Sequence, residues 1–332
     1  MSEQGNRLRA YISGTGSAVP ERVLTNSELE RIVDTSDEWI MERSGIKTRY
    51  IGGSEMATSD LCVKAAARAL ESARVAPEDV DMLIVGTVTP DQPLPSTGCI
   101  IQERMGLKNA FAFDIAAACT AFIYGITIAD SFIRTGMCRK ILVIGAEMLS
   151  RITNWEDRTT CVLFGDGAGA ALLEPCEGPR GIVSTFLRSD GSLQDYLYIP
   201  AGGSRRPHNA ETLRKHMHAI RMSGNSVFKH AVRAMGDAAQ RVLDDAGIAS
   251  SDLDLFIPHQ ANLRIIKATA ARIKVPMDKV YVNLDRYGNT SAASVPIALD
   301  EASRTGRLKE GNLVEMVAFG GGFTWGAVLV RW

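Results

Sequence analysis

The sequence has little net charge, few histidines and no paired cysteines, and each shortage removes a class of function. Lys and Arg total 37 against 38 Asp and Glu, a formal net charge of −1. A general nucleic-acid binder needs a basic excess, so that class is set aside. The six cysteines, Cys62, Cys99, Cys119, Cys138, Cys161 and Cys176, are scattered with no CxxC spacing. That pattern fits a reducing cytosol rather than a disulfide framework or a zinc site, so a cytoplasmic protein without a metal is expected. The opening MSEQGNRLRA holds no apolar run, and no signal peptide is expected. What is present is core-forming material. Over 332 residues, 45% are hydrophobic and 23% charged, enough for two ordinary domains or one large duplicated one.

One apolar stretch, Ala110 to Ala129, is long enough to resemble a membrane span. Asp114 interrupts it and Gly125 lies within it, so a fully buried helix in a large core fits better, and no membrane association is expected. The surrounding segment NAFAFDIAAACTAFIYGITIADSFIR (Asn109 to Arg134) organises the chain. Ala110 to Ile115 alternates and reads as a short buried strand; Phe122 to Phe132 reads as a helix. Cys119 sits at the junction, where unpaired N–H groups and the helix dipole favour a thiolate. A lone cysteine among small residues is equally readable as inert packing.

Further strands are expected at Tyr11 to Gly16, Asp81 to Thr87, Lys140 to Gly145, Thr160 to Phe164, Gly169 to Leu173, Ile182 to Phe186, Leu253 to Ile257, Leu313 to Phe319 and Ala327 to Val330, those flanking FGDGAG forming a hairpin. Helices are expected at Asn26 to Ile32, at Thr35 to Arg43, from a Thr58 or Ser59 cap to Arg74, at Ser96 to Met105, Gly224 to Asp245 and Ala261 to Ile273. Gly202 to Met222 reads as a polar, basic insertion. Gly14-x-Gly16 is no dinucleotide site, because Val19 replaces the third glycine and Pro20 blocks the helix. ALESARVAPEDVDMLIVGT (from Ala69) aligns with VLDDAGIASSDLDLFIPHQ (from Val242), and FGDGAGAALL (from Phe164) with FGGGFTWGAVL (from Phe319). Two weak matches in the same order suggest two copies of one α/β unit, divided as residues 1–176 and 177–332.

Four places could carry chemistry. His259 follows the buried strand LFIP, whereas His208, His216 and His218 lie in the polar insertion and are expected to be solvated. Asn289 lies in a Gly-Asn turn and could equally be a cap. Gly320, Gly321 and Gly322 allow close backbone approach or a plain tight hairpin. Cys119 is the fourth.

Taken together, AAACTAF, PHQANLRII, GNTSAASVP and FGGGFTWG resemble the thiolase-fold condensing enzymes, and closely the β-ketoacyl-acyl-carrier-protein synthase III family. The resemblance covers essentially the whole chain. It implies a duplicated five-layer α-β-α-β-α fold, the first half carrying the nucleophile and the second its partners. It implies an acyltransferase that condenses an acyl-CoA starter with malonyl-acyl-carrier protein, in ping-pong order, to initiate fatty-acid biosynthesis. Cys119 would take the acyl group, His259 and Asn289 would hold the malonyl thioester carbonyl, and the N–H groups of Cys119 and Gly321 would form the oxyanion hole. Trp39 and Arg158 match the residues that sandwich the CoA adenine; Arg43, Gly224, Phe228 and Asn262 match others along the CoA channel. Lys229, Arg264 and Arg272 match carrier-docking positions, with Ala271 standing where a Lys is common. Leu94 matches an acyl-pocket residue contributed across a homodimer, a position where some acetyl-selective members have Phe. No permanently bound cofactor is implied.

Three absences narrow the branch. GGGFTWG lacks the second cysteine of thiolases, no glutamate is apparent beside Cys119 as in hydroxymethylglutaryl-CoA synthases, and Asn289 replaces the second histidine of elongating synthases. The alternative within the family is a specialised-metabolite enzyme using a non-acetyl starter. Ser204 to Arg233 holds seven basic residues and one acidic, Glu211, a face suited to an acidic carrier protein. A cysteine hydrolase and a non-catalytic anion binder are the readings from other classes.

Overall fold

The computed structural model describes residues 8–332; most of the polar opening segment lies outside them. In the first half, β1 (Arg9–Ala18), β2 (Val23–Thr25), α1 (Asn26–Leu29), α2 (Asp37–Ser44) and β3 (Thr48–Tyr50) precede α3 (Thr58–Ala73), β4 (Met82–Gly86), α4 (Thr97–Met105), β5 (Phe111–Ile115), α5 (Ala121–Arg134), β6 (Ile141–Met148) and β7 (Asp166–Cys176). The second contains β8 (Gly181–Ser189), β9 (Leu197–Tyr198), α6 (Ala210–Arg214), β10 (Arg221–Met222), α7 (Gly224–Ala246), β11 (Leu255–Pro258), α8 (Leu263–Arg272), α9 (Leu284–Tyr287), α10 (Ser294–Arg304), β12 (Leu313–Gly320) and β13 (Thr324–Arg331).

Two sheets carry the architecture. The first has the order β1-β7-β6-β4-β5 and the second β8-β13-β12-β11. Read from β1 and from β8, both run antiparallel, antiparallel, parallel. The suspected internal repeat therefore has a topological counterpart, with β5 as an addition to the first sheet. Period-two alternation sorts each strand between layers. In β6, Ile141 and Val143 face the centre, while Leu142 and Ile144 face α3. In β12, Val314 and Met316 face the centre, while Leu313 and Val317 face α7 and α8. The central layer is α5 and α10, packed between both sheets through Phe122, Ile126, Val295 and Leu299. The layers are thus helix, sheet, helix, sheet, helix. Among the described residues, no helix is long and apolar enough to cross a membrane.

Several expectations change. Thr160 to Phe164 is no strand: Asp157 accepts from the Thr159 N–H and the Thr160 hydroxyl, winding the segment into turns, and only Phe164 bridges, to Asn289. β5 is no buried strand but the sheet's edge, with Phe111 48% exposed. The first short helix ends at Leu29, held by a capping box of Thr25 and Glu28. The α3 cap is Ala57, whose N–H donates to Asp60; Thr58 turns its hydroxyl to the Thr89 carbonyl instead. In the basic insertion, His216 and His218 are half-buried rather than solvated, and His216 lies 3.5 Å from Glu156. Gly14 and Gly16 serve packing: a Cβ on either would lie 2.3 or 2.2 Å from an α3 carbonyl oxygen.

Glu315 breaks the pattern of β12. It is fully buried, both carboxylate oxygens lack a partner, and burial pushes its pKa well above the usual value. Because the folded value exceeds the unfolded one, full relative stability is present below about pH 4.3 and is lost as pH rises through the folded value. Glu315→Leu is expected to stabilise the protein by about 1–3 kcal/mol at neutral pH. Urea unfolding at pH 5 and pH 8.5 checks this: the gain should grow with pH, and an equal or negative change at both would contradict it.

Candidate active site

Cys119 lies in a short 3-10 turn, Ala118–Thr120, that leads directly into α5. Ala118 adopts φ 45°, a left-handed conformation costly for a residue with a Cβ and concentrated at functional sites. The turn is tied to the β12–β13 hairpin: the Thr324 hydroxyl donates to the Ala117 carbonyl at 3.0 Å, and the Thr120 hydroxyl to the Thr324 carbonyl at 3.1 Å. Gly320 is required here, since a Cβ on it would lie 2.7 Å from the Cys119 nitrogen.

Cys119 is 9% exposed as a residue, and burial pushes the pKa of its thiol up to about 12. A helix start was expected to make a resting thiolate. Desolvation outweighs it, and the thiol is neutral at pH 7.

His259 continues the β11–β12 ladder, its N–H donating to the Val317 carbonyl at 2.8 Å. Its Nδ1 lies 2.6 Å from the Ser294 hydroxyl, which also accepts from the Gln260 N–H. That arrangement favours the proton on Nε2. Burial pulls the imidazole down to about 4, so it is neutral at pH 7.

Asn289 is fixed from both sides. Its N–H donates to the Leu163 carbonyl at 2.8 Å, and its own carbonyl accepts from Gly165 at 3.0 Å. The Ser291 N–H donates to Oδ1 at 2.8 Å, which assigns the amide orientation and leaves Nδ2 free to donate. Ser291 itself has φ 48°.

One cavity of about 760 Å³ unites these groups. Cys119, His259, Asn289 and Gly321 line it, as do Trp39, Arg43, Gly224, Phe228, Asn262 and Arg264. Arg158 does not line it but stacks on Trp39 at 5.3 Å, with Arg43 at 5.6 Å from the same ring. Asn262 caps α8 and donates to the Arg43 carbonyl at 2.8 Å. Lys229 and Arg272 are exposed and outside the cavity, and Arg272 is paired with Asp237 at 2.5 Å. Leu94 is 85% exposed and does not line the cavity of its own chain. Leu197, Ile199, Ile220 and Met222, at the edges of the segment read as polar, supply apolar wall.

Sequence reading missed Ser291, Ser294 and Glu147. The two serines lie inside GNTSAASVP, but nothing in their spacing distinguishes them from helix-packing residues. Glu147 was visible only as a lone charge in the apolar run ILVIGAEML. It is fully buried, and the Ser291 hydroxyl donates to it at 3.1 Å. The expectation that no glutamate lies near the cysteine therefore fails, because strand β6 carries Glu147 under the turn that holds Ser291.

Comparison with known proteins follows the same lines. Residues 113–191 match the model for 3-oxoacyl-[acyl-carrier-protein] synthase III, and residues 243–332 match its C-terminal counterpart. The β-ketoacyl-[acyl-carrier-protein] synthase III of Caldanaerobacter subterraneus subsp. tengcongensis is 56% identical over 98% of both chains. The crystal structure of the 3-oxoacyl-[acyl-carrier-protein] synthase III from Aquifex aeolicus VF5 is 48% identical, with a TM-score of 0.90, covering 97% of this chain and 100% of that one. The priming β-ketosynthase of the R1128 polyketide pathway is 33% identical, with a TM-score of 0.90 over 100% of this chain and 98% of its own. The five layers are accordingly those of the thiolase-like fold, and the chain belongs to the β-ketoacyl-acyl-carrier-protein synthase III family.

Proposed function

We propose that this protein is an acyltransferase that condenses an acyl-CoA starter with malonyl-acyl-carrier protein, giving 3-ketoacyl-acyl-carrier protein and initiating fatty-acid biosynthesis. The observation that carries this reading is a pair of neutral donors, His259 and Asn289, facing the same cavity as Cys119, each held by a serine. Such a pair suits an oxygen on which negative charge develops without a proton being given away. In the first half-reaction, Cys119 Sγ attacks the starter thioester and the CoA thiolate leaves. In the second, the C–C bond to the malonyl carboxylate breaks, carbon dioxide departs, and the electron pair forms an enolate. His259 Nε2–H and Asn289 Nδ2–H hold its oxygen. The enolate carbon attacks the acyl-Cys119 carbonyl, whose oxygen faces the N–H groups of Cys119 and Gly321, and the thiolate is expelled.

Trp39 with Arg158 and Arg43 forms the adenine end of the CoA site; the two guanidiniums already stack on the indole. Gly224, Phe228 and Asn262 line the channel between. Arg264, stacked on Phe228 at 5.5 Å, joins Lys229 and Arg272 as the docking surface for the acidic carrier protein. No permanently bound cofactor enters this scheme. We further propose a division at residues 1–176 and 177–332, a homodimer, and a cytoplasmic location. The repeated strand order supports the first, the open β5 edge with exposed Phe111 and Leu94 the second, and six free thiols the third. Leu94 in place of an aromatic acyl-pocket residue supports a starter broader than acetyl, the point at which a specialised-metabolite role would diverge.

Cys119→Ser is expected to abolish acyl-enzyme formation, read by intact-protein mass spectrometry after mixing with acetyl-, isobutyryl- and hexanoyl-CoA. His259→Ala is expected to acylate normally yet condense about 10²–10³-fold more slowly. Normal acylation of the first variant or full condensation by the second would overturn the roles. Ser294→Ala, which frees His259 Nδ1, is expected to slow malonyl-thioester decarboxylation by up to about 100-fold through misorientation while acylation is retained; an unchanged decarboxylation rate would remove Ser294 from the account.

A further inference from the structure

The scheme above leaves the Cys119 proton without a destination. His259 is an unsuitable one, since burial holds its imidazole neutral down to about pH 4. Glu147 is fully buried, sits close enough to Cys119 to raise its pKa, and takes no part in the chemistry so far described. Its carboxylate is built into place. The Thr89 hydroxyl donates to Oε2 at 2.7 Å, the Thr87 hydroxyl at 3.2 Å, and the Val88 N–H at 3.1 Å. The fourth donor is the Ser291 hydroxyl, 3.1 Å from Oε1. Ser291 and Cys119 line the same cavity, on turns packed against each other. With its single hydrogen committed to Glu147, the Ser291 oxygen keeps its lone pairs for a proton arriving from the cavity. Hydroxyl and carboxylate thus form a hydrogen-bonded pair behind the cavity wall that Cys119 shares, and all three residues are buried.

We propose that Glu147 takes and stores the Cys119 proton, reached through the Ser291 hydroxyl. The inference rests on Cys119 being the acylated residue. As Sγ attacks the thioester, its proton passes to Ser291 Oγ and the Ser291 proton passes to Glu147 Oε1. The C–S bond to CoA breaks, and the departing thiolate is protonated from solvent. After condensation the expelled Cys119 thiolate recovers its proton from Glu147 through the same hydroxyl. The turnover consumes one proton from water, as the overall reaction requires when carbon dioxide leaves.

The electrostatics agree with this direction. Burial raises Glu147 to about 7, with the Thr89, Val88, Ser291 and Thr87 bonds pulling the other way. A carboxylate poised there accepts a proton at neutral pH far more readily than a solvent-exposed one. Cys119, at about 12, keeps its proton until attack begins. The titratable groups facing Glu147 from other elements are the thiols of Cys119 and of Cys62 on α3; its charge raises both. Among the described residues no cation is paired with it. A bracing role alone, holding Val88 and Ser291 in place, would use the same bonds but would not titrate with the acylation step.

The test uses the full-length protein, with acetyl-CoA and isobutyryl-CoA as probes. Rapid-quench mass spectrometry follows acyl-Cys119 formation from pH 5.5 to 9, and carbon dioxide release from malonyl-CoA reports separately on His259 and Asn289. The wild-type acylation rate is expected to rise with an inflection near pH 7. Glu147→Gln is expected to lose that inflection and to acylate about 10²-fold more slowly at pH 7, with carbon dioxide release changed by far less. Ser291→Ala is expected to lose the same inflection, and it decides the matter should Glu147→Gln fail to fold. Retention of the inflection in either variant overturns the relay, as does a parallel loss of acylation and carbon dioxide release in Glu147→Gln. A wild-type protein that never acylates at Cys119 overturns instead the functional reading beneath it.

Discussion

Two largely buried helices hold the site together. α5 and α10 lie between the sheets, and the sides they turn to them are mostly buried apolar material. Neither can shift or rotate without opening a void in a close-packed layer, which is costly. The turns at their N-termini, one carrying Cys119 and the other Ser291, are therefore brought together from residues far apart in the chain. Strained backbone at Ala118 and Ser291 is tolerated because both turns are over-determined by what surrounds them. The nucleophile and the group that fixes Asn289 face one another for the same reason that the core is dense.

The site this framework builds is electrically quiet. Cys119 is a thiol, His259 an uncharged imidazole and Asn289 an amide, because burial disfavours every ionised form. Charge exists there only while bonds are changing, and it meets dipoles already in position. Glu147 is the exception, poised between its two forms by four donors working against desolvation. The cations meet the cavity on aromatic faces, at Trp39 and Phe228, or lie on the outer surface.

Much of this was legible in the sequence and some was not. Cys119, His259 and Asn289 sit in motifs so specific that one chain suffices to find them, and the cavity brings all three together. The repeat was readable because both copies keep a helix, a loop and an Asp-flanked strand. The errors arose where a local pattern depends on distant contacts. Thr160 to Phe164 has strand composition but is wound by Asp157. β5 alternates like a buried strand but has a neighbour on one side only. The ionisation of Cys119 could not be inferred from its position at a helix start, since desolvation by the packing around it sets it. Glu147 and Ser291 were overlooked because a hydrogen bond between residues 144 positions apart leaves no spacing signature.

The extra strand has a geometric consequence for assembly. One outer strand of the second sheet, β11, is covered by a bridge from Phe256 to Val280, whereas no strand of the described residues pairs with the far side of β5. Phe111 stacks there on Phe113 and leans on Phe132, making that border sticky as well as open. Among the outer strands β1, β5, β8 and β11 only β5 exposes a large hydrophobic residue, and such a border can be satisfied by one neighbour related by a twofold axis. Had the duplication copied β5 as well, each chain would offer two such borders, and growth into a filament would compete with a closed pair.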